Sequence, residues 1–108
     1  MFKKLTVQYF NLFNSKNHIK LSEMLSEDVF LEDWEVVCHG KAKVVTSIQE
    51  LFKSVDEIMV KPLRMYGEGS TIISELEIII NNTSRLLVVD IITYNKDDKI
   101  SVIRAYKQ

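Results

Sequence analysis

The chain holds one cysteine, one proline and three glycines in 108 residues, with no excess of charge of either sign. A lone thiol, Cys38, rules out an internal disulfide framework and fits a reducing compartment. At a net charge of −1, with no basic cluster, electrostatics give no case for nucleic acid or an anionic membrane surface as a partner. No apolar run approaches the roughly 20 residues that span a bilayer. "MFKKLTVQYFNLFNS" has a basic pair but neither a long apolar stretch nor a small-residue cleavage site, so it reads as mature structure and the expected location is the cytoplasm. "NNTS" at 81–84 contains two overlapping glycosylation sequons, which mean nothing without a secretory signal, and it reads as a hairpin turn.

What is present is the mix of an ordinary globular protein, 46% hydrophobic and 27% charged, and the length predicts a single domain over 1–108 with a core of its own. Linkers, repeats and low-complexity segments are lacking. Phe2, Leu5, Tyr9, Leu12 and Phe13 recur at three- and four-residue steps and predict a first helix. "NSKN" breaks that stripe, and "HIKLSEML" predicts a short second helix with Leu21, Met24 and Leu25 inward. "DVFLEDWEVV" alternates and is rich in β-formers, which predicts a strand over 28–37. After Gly40, Val44, Ile48, Leu51, Phe52 and Val55 keep helical spacing and predict a third helix over 41–54. Four strand-like runs follow, separated by the short turns "GEG", "NNT" and "NKDD" that antiparallel hairpins require. The fold class is therefore α+β: three helices packed on a curved, mainly antiparallel sheet that encloses an apolar pocket.

The most informative run is "RLLVVDIITY", residues 85–94. Leu86, Val88, Asp90, Ile92 and Tyr94 share one face, while Leu87, Val89, Ile91 and Thr93 share the other. Both faces are apolar, so the side away from the helices needs a cover, and a homodimer packed sheet to sheet would supply one. Asp90 sits in the middle of that run. A carboxylate there costs several kcal/mol if it stays charged and unpaired.

The order of elements, and above all "VQYFNLFNSKNHIKLSEMLSEDVFLEDW" followed by "HGKAKVVTSIQELF", resembles the cone-shaped (cystatin-like) α+β proteins of the nuclear-transport-factor-2-like superfamily, which includes the ketosteroid isomerases and SnoaL-type polyketide cyclases. The resemblance covers nearly the whole chain. It places the isomerases' oxyanion-donating tyrosine on Tyr9, before "FN". It places their general-base aspartate on Asp33 of "LEDW", and their second oxyanion donor, a protonated aspartate, on Asp90 of "VVDIIT".

The chemistry implied is removal of a proton next to a carbonyl. Asp33 would carry the proton, and Tyr9 and a neutral Asp90 would donate hydrogen bonds to the enolate oxygen. Trp34, Leu86, Val88 and Ile92 would contact a hydrophobic small-molecule substrate. No cofactor and no metal is expected, because His18 and His39 lack ligand partners at zinc spacing.

Two departures from the isomerase pattern imply a smaller or differently shaped ligand than a steroid. Trp34 stands where those enzymes usually have proline, and the segment from it to Gly40 is about two residues shorter than theirs. Two other readings share the fold: a pocket that binds a ligand without turning it over, and a domain whose function is protein association.

Overall fold

In the computed structural model, which describes residues 1–108, three helices accompany a curved six-stranded sheet. The helices are α1 (Phe2–Asn14), α2 (His18–Glu23) and α3 (Lys41–Ser54). The strands are β1 (Leu25–Glu32), β2 (Val37–His39), β3 (Ile58–Glu68), β4 (Thr71–Ile80), β5 (Ser84–Tyr94) and β6 (Ile100–Lys107). The strand order is β2-β1-β6-β5-β4-β3. Every pairing is antiparallel except β1 with β6, which is parallel. No helix is long and apolar enough to cross a membrane.

The four strands from β3 to β6 form the meander that the turn residues predict. Asn81 and Asn82 both take positive φ, 53° and 59°, between β4 and β5, a conformation asparagine tolerates well. Asn95 accepts hydrogen bonds on Oδ1 from the backbone N–H groups of Asp97 and Lys99, closing the turn into β6. Irregular register at Pro62/Arg64 in β3, and between Leu25 and Phe30 in β1, bends the sheet. Pro62 is tolerated because β3 is an edge strand.

Two local readings are corrected. Residues 28–37 are not one strand: β1 ends at Glu32, residues 33–36 turn, and β2 begins at Val37. Asp33 causes the break, since its Oδ1 accepts from the N–H groups of Glu35 and Val36, both at 2.8 Å. The second helix is also shorter than its apolar spacing implies. Leu25 leaves it to pair with Ile100 across β1 and β6, with Ile100 N–H donating to the Met24 carbonyl at 2.8 Å. A distant strand has outcompeted one more helical turn.

α3 occupies the predicted residues. Gly40 precedes it at φ 97°, a left-handed conformation that side chains disfavour. At the other end Lys16 Nζ donates to the carbonyls of Val55 and Asp56, at 2.6 and 3.0 Å. On α1 the fully buried residues are Thr6, Tyr9 and Phe10, while Phe2, Leu5, Leu12 and Phe13 pack at the margins of the stripe. The core joins Phe10, Leu21, Leu25, Val29, Val44 and Ile48 to the inner sheet residues Ile72, Leu76, Val88, Ile92, Ile100 and Ile103.

Asn14, the last residue of α1, ties the helix to the free edge of the sheet. Its Nδ2 donates to the Val60 carbonyl at 3.1 Å and its Oδ1 accepts from Val60 N–H at 2.6 Å. The amide side chain thus stands in for a neighbouring strand along an edge that would otherwise offer unpaired groups. We expect Asn14→Ala to lower stability by about 1–3 kcal/mol in urea unfolding, since two partly buried backbone groups lose their partner. Asn14→Asp, which keeps only the acceptor, should fall between the two.

Candidate functional site

Between α1, α3 and the concave side of the sheet lies a cavity of about 670 Å³. Small-molecule sites typically measure ~300–1,000 Å³. Its walls are mainly apolar: Phe10 and Phe13 from α1, Ile48 and Leu51 from α3, and Val60, Leu76, Ile78, Leu86, Val88 and Ile103 from the sheet. Tyr9, Asp33 and Asp90, which lie far apart in sequence, all line it.

Asp90 lies mid-strand on the concave face of β5, flanked across the ladder by Ser74 and Ala105. Its remaining exposure is to the cavity, and no hydrogen bond to protein holds its carboxyl. Desolvation, with the nearby Asp33 charge adding to it, pushes its pKa up from 3.8 to about 7. At neutral pH and below, the carboxyl is therefore substantially protonated and able to donate.

Tyr9 is 4% exposed, with its ring packed edge-on against Phe10 at 5.7 Å between centroids. Its hydroxyl has no protein partner. Burial first, then the charges of Asp90 and Tyr94, push its pKa well above the ordinary tyrosine value, so it remains a donor. Tyr94, further along β5, differs. Thr6 spends its own proton on the Phe2 carbonyl at 2.8 Å, so Tyr94 is the donor in the 2.8 Å bond between the two hydroxyls. One buried tyrosine is thus satisfied by the fold, and the other is left facing the cavity.

Asp33 does two things. One carboxylate oxygen caps the turn after β1, as described above, and the half-buried side chain also faces the cavity. Its second oxygen has no protein partner. Trp34 follows at the mouth, 41% exposed, with the Lys107 ammonium 5.6 Å from its ring centroid. Leu86 and Val88 line the wall, whereas Ile92 does not. Ile92 is 0% exposed, clamped between Ile72 and Ile103 on the neighbouring strands. Strand parity puts it on the correct face, but beyond Asp90 the concave side is filled by side chains and the cavity ends.

The residues missed by sequence reasoning include Lys107, Glu35, Glu50 and the strand positions Leu76, Ile78, Ile80 and Ala105. Parity would have found several of them. Leu76, Ile78 and Ile80 follow Ser74 at alternate positions in "SELEIII", and Ala105 and Lys107 follow Ile103. No group of three or more His, Cys, Asp or Glu side chains is placed to hold a metal ion. Desolvation, together with the Asp33 charge, raises the pKa of the Cys38 thiol, which disfavours the reactive thiolate.

No protein-family model matches the sequence, and no curated protein matches it. Solved structures match it closely in shape. A candidate SnoaL-like polyketide cyclase from Shewanella denitrificans superimposes with a TM-score of 0.87 at 11% identity, over 99% of this chain and 90% of that one. The chain has the nuclear-transport-factor-2-like fold. A candidate ketosteroid isomerase from Kribbella flavida shares that fold with a TM-score of 0.84 at 20% identity, over 99% of this chain and 77% of that one. So does an LEH-like epoxide hydrolase from M. tuberculosis, with a TM-score of 0.81 at 16% identity, over 93% of this chain and 77% of that one. The nuclear-transport-factor-2-like fold thus accompanies several chemistries, and the reaction has to be argued from the cavity.

The raised Asp90 pKa has a measurable consequence. The folded protein holds a proton that the unfolded chain releases between pH 3.8 and about 7, so the wild type loses stability as pH rises through that window and levels off above it. Asp90→Asn lacks this cost. Its stability relative to wild type should rise from pH 4 to pH 7, by at most about 4 kcal/mol from the pKa interval, and then stay constant in urea unfolding.

Proposed function

We propose that the protein is an acid–base catalyst that moves a proton next to the carbonyl of a hydrophobic small molecule, as an isomerase or cyclase-like enzyme. The observation that carries this reading is the pair of unpartnered donors, the Tyr9 hydroxyl and the Asp90 carboxyl, facing the same apolar cavity as a carboxylate. A carbonyl oxygen entering the cavity would accept from both donors, and those bonds would strengthen as negative charge developed on it. Asp33, through its free oxygen, would take the proton from one carbon and return it to another. Because its other oxygen is tied to two amide groups, the base is held in place without losing its acceptor. The mechanism draws on side chains alone and calls for no cofactor.

Asp33→Asn is a clean test, because the amide oxygen still caps the turn while the base is removed. With β,γ-unsaturated ketones, from ketosteroids to smaller cyclic ketones, conjugation followed by ultraviolet absorbance should be fast in the wild type. It should fall by about 10²–10⁴-fold in Asp33→Asn, and by about 10²–10³-fold in Tyr9→Phe. No turnover in the wild type, with saturable binding of the same ketones that survives Asp33→Asn, would show a binding protein in place of an enzyme.

We also propose that two copies associate through the convex sheet face. Ile73, Leu87, Val89, Ile91 and Val102 alternate outward there, each only partly covered. Among the charges around them, Glu77 pairs with Arg85 and Glu32 with Arg104, and Glu75 accepts from the Tyr66 hydroxyl. A face of this kind suits a second copy of itself, because it presents apolar area with part of its charge already paired within the chain. Sedimentation equilibrium should show a dimer, and Val89→Glu should shift it to monomer while leaving the fold intact by circular dichroism.

A further inference from the structure

Ser74 Oγ is the one fully enclosed side-chain polar atom with no hydrogen-bond partner, on a residue 0% exposed at the centre of β4. Its neighbour across the ladder on one side is Met65, whose thioether is a weak acceptor, and on the other side Asp90. Cross-strand neighbours in an antiparallel sheet have Cβ atoms about 4.5–5.5 Å apart, so rotation about χ1 brings a serine hydroxyl within reach of a facing carboxyl. Asp90's other cross-strand neighbour is Ala105, and Val88 and Ile92 flank it along its own strand on the same face. Ser74 is therefore the only adjacent side chain on the sheet able to hydrogen-bond it.

We propose that Ser74 is a positioning residue for Asp90: its hydroxyl donates to the carboxyl's acceptor oxygen and so aims the carboxyl's own O–H into the cavity. A neutral carboxyl has one donor and one acceptor, and both ends need a partner. If Ser74 accepted instead, its own proton would be stranded among apolar side chains. The carboxyl proton has another destination, the oxygen of a ligand. This rests on the reading of Asp90 as a neutral donor, and it assigns a role to a group that reading leaves unused.

The bond strengthens when Asp90 ionises, because charge-assisted hydrogen bonds exceed neutral ones. Removing the hydroxyl should therefore raise the Asp90 pKa. The other titratable groups facing the cavity are Tyr9 from α1, Asp33 and Glu35 from the β1–β2 turn, Glu50 from α3 and Lys107 from β6, and a Ser74 substitution alters none of them.

The test is a ¹³C NMR titration of the Asp90 side-chain carboxyl in the full chain, for the wild type, Ser74→Ala and Ser74→Cys. The expected result is a wild-type midpoint well above 4, an upward shift of roughly 0.5–1 pH unit in Ser74→Ala, and a smaller upward shift in Ser74→Cys, whose thiol is a weak donor. An unchanged midpoint in both variants, or a downward one, would overturn the role assigned to Ser74 while leaving Asp90 as donor. A wild-type midpoint near 4 would instead remove the neutral donor itself, and with it the role of Ser74.

Discussion

Desolvation of one carboxyl group organises the rest of the site. Asp90 lies on the concave side of a sheet whose neighbouring positions are Val88, Ile92, Leu76 and Ile103, so water reaches it only through the cavity. That setting depends on curvature. A flat sheet would leave the middle of β5 exposed to solvent or pressed directly against a helix. The register irregularities in β1 and β3 bend the sheet so that α1 and α3 roof its concave side while space remains beneath them. The same roof brings Tyr9 to the cavity, where its hydroxyl meets no protein partner.

The three polar groups also show how a small protein holds strained electrostatics without strained geometry. Asp33 lies where its carboxylate can be both structural and open, tied through one oxygen to a turn at the rim. Asp90 receives no such help, and its charge is disfavoured by burial and by Asp33 together. Of the two carboxyl groups facing one cavity, Asp90 is thereby pushed toward its protonated form, the state in which a carboxyl can donate a hydrogen bond.

Much of this was legible in the residues. The apolar stripe after Gly40 marks α3 because both its ends carry clear signals. The alternation in 85–94 assigns both faces of β5, since strand parity holds along an unbroken ladder. Tyr9, Asp33 and Asp90 could be picked out through resemblance, and the structure brings them to one cavity. What was hidden depends on long-range geometry. Leu25 looks helical from its neighbours and becomes strand because Ile100, 75 positions later, pairs with it. Ile92 has the correct parity, but the depth at which a cavity stops is set by how the sheet curls and which side chains fill it. Ser74 looks like an unremarkable strand serine until the register places it opposite Asp90.

The position of β6 carries a consequence for how the chain assembles. It is the last strand in sequence, yet it lies inside the sheet, between β1 and β5. Until residues 100–107 are available, β1 has only the three-residue β2 beside it, and the β3–β5 meander has an open edge along β5. Closure of the sheet between β1 and β5 therefore waits on a contact spanning most of the chain, while α1 can already dock on β3 through Asn14 and Val60. Topologies of this kind fold slowly, because the entropy of a large loop is lost before the pairing is gained. The edge of β5 that β6 covers is left unpaired in the interim, so the strand that carries Asp90 is also the one a nascent chain must keep from premature pairing.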